Sequence, residues 1–166
     1  MLLFASTSLG AQPRQVEFAV GVAAPTGGLG AQRDTGPIAR VSISRRDRVA
    51  RPRGDLDLFT LDAGRAATSA RYTGLGASAS LLIGRFASRV TPYALAGLGA
   101  NAVLLSGSGA SWAPALRFGA GARYETSERA LFVEMNQHII FSDRGANEYG
   151  TAVMRPIVFG ASFRLH

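Results

Sequence analysis

The segment "VEMNQHIIFS", residues 133–142, has the residue types best suited to chemistry: an acid at Glu134, an imidazole at His138 and a hydroxyl at Ser142. Acid, base and nucleophile are the ingredients of acyl transfer. In an extended chain these positions share one face, but residues i and i+4 stand about 13 Å apart, which is too far for a direct relay. His138 is therefore expected to be a hydrogen-bonded structural residue, and the chain is expected not to be an enzyme. The densest charge run, "RRDRVARPR" at 45–53, has the composition of an anion contact but reads as a solvated turn. Asp143 and Glu148 fall well short of a Ca²⁺ ligand set. Two His and no Cys leave no other metal site and no disulfide. The Gly-rich stretches "GGLG" and "GLGASAS" precede no helix, so they form no phosphate loop. No cofactor is expected.

The chain has 166 residues, the size of one domain, and its 47% hydrophobic and 17% charged content excludes a disordered polypeptide. The net charge of +7 comes from Arg alone, with no Lys. These Arg are scattered rather than gathered into a stripe interleaved with aromatics, which argues against nucleic acid as a partner. Residues 1–11, within "MLLFASTSLGAQ", read as a truncated signal peptide, leaving 12–166 as a single exported domain. No run reaches the ~18 apolar residues of a membrane helix. The longest, "ALAGLGANAVLL", is interrupted by Gly97, Gly99 and Asn101.

Period-two patterns bounded by Gly, Pro, Ser and Asp dominate the chain. They predict eight strands, at 15–23, 37–45, 55–62, 70–85, 90–105, 111–125, 130–142 and 151–165. Several approach the ~9–11 residues that cross a bilayer at a tilt. An even number of long antiparallel strands is the pattern of bacterial outer-membrane barrels. The expected fold is an all-β, eight-stranded, antiparallel up-and-down transmembrane β-barrel, with "PIVFGASFRLH" closing it against the first strand. Loops such as "APTGGLGAQRDTG" and "DRGANEYG" are expected outside, and the turn "RDRVARPRG" in the periplasm.

The two faces differ in kind. Trp112, Leu116, Phe118 and Tyr124 share one side of strand six, with Arg117, Gly119, Gly121 and Arg123 on the other. A water-soluble barrel needs charge on its outer face, and Gly, Ala and Ser with an occasional Arg or Glu supply little. That second face suits the interior of a narrow barrel instead. Glu17, Arg117, Arg123, Glu134, His138 and Arg164 are expected to form a polar network there, with Arg117 or Arg123 meeting Glu134 and Arg164 meeting Glu17. Trp112, Tyr124 and Phe163 are expected in the aromatic girdles, with Tyr93 a further candidate. Gly74, Gly76, Gly97 and Gly99 are expected to relieve strand curvature rather than to widen the lumen.

The stretches "FAVGVAAPTGGLG", "TPYALAGLGANAV", "ALRFGAGARYE" and "PIVFGASFRLH" resemble the small OmpA/OmpX-type outer-membrane β-barrel proteins over nearly the whole mature chain. The resemblance implies residence in the bacterial outer membrane, contact with outer-membrane lipid and a monomeric state. Phe159, Gly160, Phe163 and Leu165 resemble the terminal signal read by the barrel-assembly machinery, with His166 in place of the usual terminal aromatic. Such families include structural anchors, adhesins, small-solute barrels and a few lipid-modifying enzymes. A structural or surface-interaction role is expected here. A soluble exported lipocalin-like barrel is the alternative, and a lipid-modifying enzyme the more distant one.

Overall fold

The computed structural model describes residues 14–27, 33–62, 72–105, 108–126, 128–141 and 151–165. The signal-like segment and most of the expected outer loops, with Ser142, Asp143, Glu148 and His166, lie outside the described residues. Eight strands follow one another: β1 Arg14–Thr26, β2 Gly36–Arg45, β3 Ala50–Leu61, β4 Tyr72–Gly84, β5 Val90–Leu105, β6 Ser108–Glu125, β7 Arg129–Phe141 and β8 Thr151–Arg164. Each pairs antiparallel with its chain neighbours, and β1 pairs with β8 from Gln15↔Arg164 to Thr26↔Val153, which closes the barrel. Closure gives every strand two hydrogen-bonded neighbours and removes the sheet edges.

The turns after β2, β4 and β6, the start of β1 and the end of β8 gather at one rim, the turn end. The other rim is the loop end. At the turn end the Leu165 N–H donates to the Arg14 carbonyl (3.0 Å). In the β2–β3 turn the Val49 N–H donates to Asp47 Oδ1 (3.1 Å) and holds that carboxyl below its usual range.

Alternation along each strand sorts the side chains. Phe18, Val20, Leu58, Leu98, Trp112, Leu131, Met135 and Phe159 face outward and are largely exposed, whereas Glu17, Arg40, Arg53, Asp55, Asp57, Arg117, Arg123 and Glu134 face inward and are buried. The interior is layered. Toward the loop end lies an apolar cluster that includes Ile38, Phe59, Leu61, Ile140 and Met154. Toward the turn end, Leu82, Phe86, Tyr93 and Leu95 form a second cluster. Most of the charged residues lie between these clusters, and Arg51 and Glu125 lie beside the second.

Three inward aromatics lie over glycines of the adjacent strand: Phe59 over Gly74, Tyr93 over Gly121 and Phe132 over Gly160. A Cβ at Gly121 would fall 2.6 Å from Tyr93 Cζ. Gly74 thus makes room for a ring, a role beyond the curvature expected of it.

One expectation about the fold is corrected. β3 begins at Ala50, so the run 45–53 is not a long solvated turn: its second half is strand. Arg51 and Arg53 point into the barrel and are buried, and only the short stretch 46–49 turns.

Candidate functional site

The chemistry of the barrel is concentrated in its charged interior. β3 contributes four members from alternate positions, Arg51, Arg53, Asp55 and Asp57, because period two places them all on the inner face. β2 adds Arg40, β1 Glu17, β6 Arg117, Arg123 and Glu125, and β7 Glu134. These five Arg and five carboxylates are joined in ion pairs, and the net charge they bury is zero.

Glu134 is the hub. Its carboxylate accepts from Arg40 (2.6 Å), from both terminal nitrogens of Arg53 (2.8 and 3.0 Å) and from Arg117 (2.8 Å). The Tyr93 hydroxyl (3.0 Å) and the Asn136 amide (2.8 Å) also donate to it. These partners come from β2, β3, β5, β6 and β7, so one side chain ties together five of the eight strands. Asp55 accepts from Ser42 (2.6 Å), Ser80 (2.9 Å) and Arg117 (2.7 Å). Nearer the turn end, Glu17 accepts from Ser44 (2.9 Å) and Arg123 (2.8 Å), while Arg51 reaches Glu125 (2.5 Å) and lies over the Phe86 ring at 3.9 Å. Buried charge is tolerable when it is paired and its remaining protons and lone pairs are occupied; here every carboxylate is paired, while Glu17 Oε2 and Arg117 Nε have no hydrogen-bond partner among the described residues.

Of the residues singled out from sequence, Glu17, Arg117, Arg123, Glu134 and His138 are buried inside the barrel, and Arg164 is half-buried at the turn end. Arg117 meets Glu134 as expected. The pairing of Arg164 with Glu17 is corrected: the β1–β8 register sets Ser162 opposite Glu17 and Arg164 opposite Gln15, and Glu17 is instead met by Arg123 and, at 3.5 Å, by Arg53. Tyr93 belongs to no girdle. It points inward, 4% exposed, toward Glu134.

Trp112, Tyr124 and Phe163 face outward, with Trp112 toward the loop end and the other two at the turn end. Phe163 packs against Phe18 with ring centroids 6.3 Å apart. Phe159 and Leu165 also face outward, while Gly160 lies beneath Phe132.

The sequence reading missed Arg40, Arg51, Arg53, Asp55, Asp57 and Glu125. The signal for four of them is present in "RPRGDLDLF", where two Arg, two Asp and a Phe recur at every second position.

His138 is 4% exposed, and its Nε2 has no hydrogen-bond partner among the described residues. With Asp57, Ser78, Asn101 and Arg117 it borders a void of about 10 Å³, at the lower limit for a single water. Among the described residues no group of His, Asp or Glu is arranged to hold a metal.

Tyr93 offers a direct measure of the hub. Tyr93→Phe removes one hydrogen bond to a buried carboxylate and is expected to destabilise the barrel by about 1.5–3 kcal/mol. The shift in the urea unfolding midpoint of refolded protein measures it.

No family model and no curated protein matches the chain. Solved structures do. Neisserial surface protein A superposes with a TM-score of 0.71 at 18% identity, covering 92% of this chain and 97% of that one. The outer membrane enzyme PagL gives 0.56 at 17% identity, over 89% and 97% of the two chains. The outer membrane protein OprG from Pseudomonas aeruginosa gives 0.53 at 14% identity, over 95% and 98%. The chain has the fold of the small eight-stranded outer-membrane β-barrels.

Proposed function

We propose that this chain is an integral protein of the bacterial outer membrane with a structural or surface-interaction role, that it is not an enzyme, and that its lumen is filled by the polar network rather than open as a large pore. The observation that carries this reading is the inverted distribution of side chains. Leu98 and Val20 are each 67% exposed on the outside, while Arg40, Arg53, Arg123 and Glu134 are buried within. A soluble barrel would gain from the opposite arrangement, with its apolar face inside. The charged interior also disfavours the lipocalin-like alternative, because an apolar ligand would have to displace paired charges.

The absence of catalysis is supported by the position of His138. It lies inside the barrel beside Arg117, whereas a lipid substrate would approach from outside. The two apolar clusters and the ion pairs that occupy the interior support a filled lumen.

The test combines two measurements. Protein recovered from outer-membrane fractions should resist carbonate extraction and migrate differently when unboiled. The same protein in planar bilayers should give no sustained porin-like conductance. Protein that washes off as soluble, or that opens large steady channels, would refute the corresponding half of the proposal.

A further inference from the structure

The outer face of the barrel is almost free of charge. Among the described residues, its charged side chains lie at strand ends or in turns, as Arg14, Arg45, Arg85 and Arg129 do at the turn end. Arg155 is the exception. It is exposed inside β8, opposite Ala24 of β1, and has no hydrogen bond or ion pair with the described residues. The register that runs from Met135↔Ile157 to His138↔Met154 sets Gln137 of β7 beside it.

These two polar side chains stand on one wall of a groove of about 440 Å³ on the outer surface, whose remaining lining includes Phe118, Ala120 and Met135 above the bare backbone of Gly119. An isolated Arg facing hydrocarbon is costly at mid-membrane and tolerable near the interface. In the strand register Arg155 aligns with Gln137, Phe118 and Ala96, nearer the loop end of β8 than its turn end, and the exposed rings of Phe141 and Trp112 continue the apolar outer face beyond it toward the loops. Arg155 therefore lies in the loop-side half of the band, and snorkelling of its long side chain brings the guanidinium toward the loop-side head groups.

We infer that Arg155, Gln137 and the apolar groove beside them form a lipid-binding site for a phosphorylated glycolipid of the loop-side leaflet. The inference rests on the membrane-spanning reading proposed above. The guanidinium is a fork of donors matched to a phosphate. The Gln137 amide offers both a donor and an acceptor to sugar hydroxyls. Phe118, Ala120 and Met135 receive an acyl chain along the strand direction. An anionic head with an apolar tail complements this surface in charge and in polarity, which a zwitterionic lipid does not.

The test is native mass spectrometry of the folded protein released from nonionic detergent, titrated with lipid A, phosphatidylglycerol or phosphatidylcholine. Wild type is expected to retain lipid A in preference to both phospholipids. R155Q should weaken that retention about tenfold, the loss of one charge-assisted contact. R155K should keep part of it, and R129Q, at the turn end, should keep all of it. Heat-shifted mobility of every variant establishes that each is folded. Equal retention by wild type and R155Q would overturn the site, and equal retention of phosphatidylglycerol and lipid A would overturn the choice of a glycolipid. Failure to insert into vesicles would remove the membrane-spanning reading and the site with it, whereas inserted protein with no lipid preference removes the site alone.

Discussion

Glu134→Gln will destabilise the folded barrel by about 3–5 kcal/mol, the loss expected when one partner of a buried ion pair is removed. The substitution keeps the shape of the side chain but removes the charge on which Arg40, Arg53 and Arg117 converge. Each of these Arg has a second carboxylate, Asp57 for Arg40 and Asp55 for the other two, so the interior does not lose all pairing. It does acquire one uncompensated positive charge in a region closed from water. A second substitution separates charge balance from lost contacts: Arg53→Met in the Glu134→Gln background returns the interior to neutrality. The double variant should be more stable than Glu134→Gln alone, by urea midpoint and by the fraction of protein that runs folded in unboiled gels. Strict additivity of the two single losses would mean that the charges do not act as a coupled network.

The same network shows where sequence reasoning reached and where it stopped. Eight strands were legible because period-two alternation runs almost unbroken through "SWAPALRFGAGARYE" and "ALFVEMNQHIIFS". The inward direction of Glu134, Arg117 and His138 followed from that alternation alone. β3 was harder. The density of Arg in "RRDRVARPR" reads as solvent-facing, and Pro52 and Gly54 interrupt an otherwise strand-like pattern. In the barrel both fall on outward positions, and Arg51 and Arg53 are inward.

Pairing between distant strands was not legible. Arg123 meets Glu17 of β1, and Arg53 meets Glu134 of β7, because a narrow lumen lets long side chains reach across it. Nothing in local spacing encodes that reach. Register was also beyond local reading. One pairing step on the same face separates Arg164 opposite Gln15 from Arg164 opposite Glu17, and only the assembled β1–β8 ladder decides it.

The outward face yields the second large effect. Leu98 is 67% exposed in the middle of β5, in register with Ala79 of β4 and Leu116 of β6. If that face meets hydrocarbon, Leu98→Arg places a guanidinium near the bilayer midplane and should cost about 2–4 kcal/mol. Leu131, 61% exposed, lies two positions from the turn-end residue Arg129. Leu131→Arg lets the charge reach the head groups and should cost only about 0–1 kcal/mol. Urea unfolding from phosphatidylcholine vesicles gives both values on one scale. The comparison is informative because the two sites are similarly exposed and receive the same substitution, so only depth in the bilayer separates them. In a soluble barrel both would be surface changes within about ±0.5 kcal/mol, and adding charge to an apolar exterior would improve solubility. A steep depth profile therefore assigns the outer face to lipid, and a flat one assigns it to water. The profile also bears on Arg155: the bilayer that penalises an Arg at position 98 must accommodate the one that β8 already carries in the loop-side half of the band, and it does so by letting that side chain snorkel to the head groups.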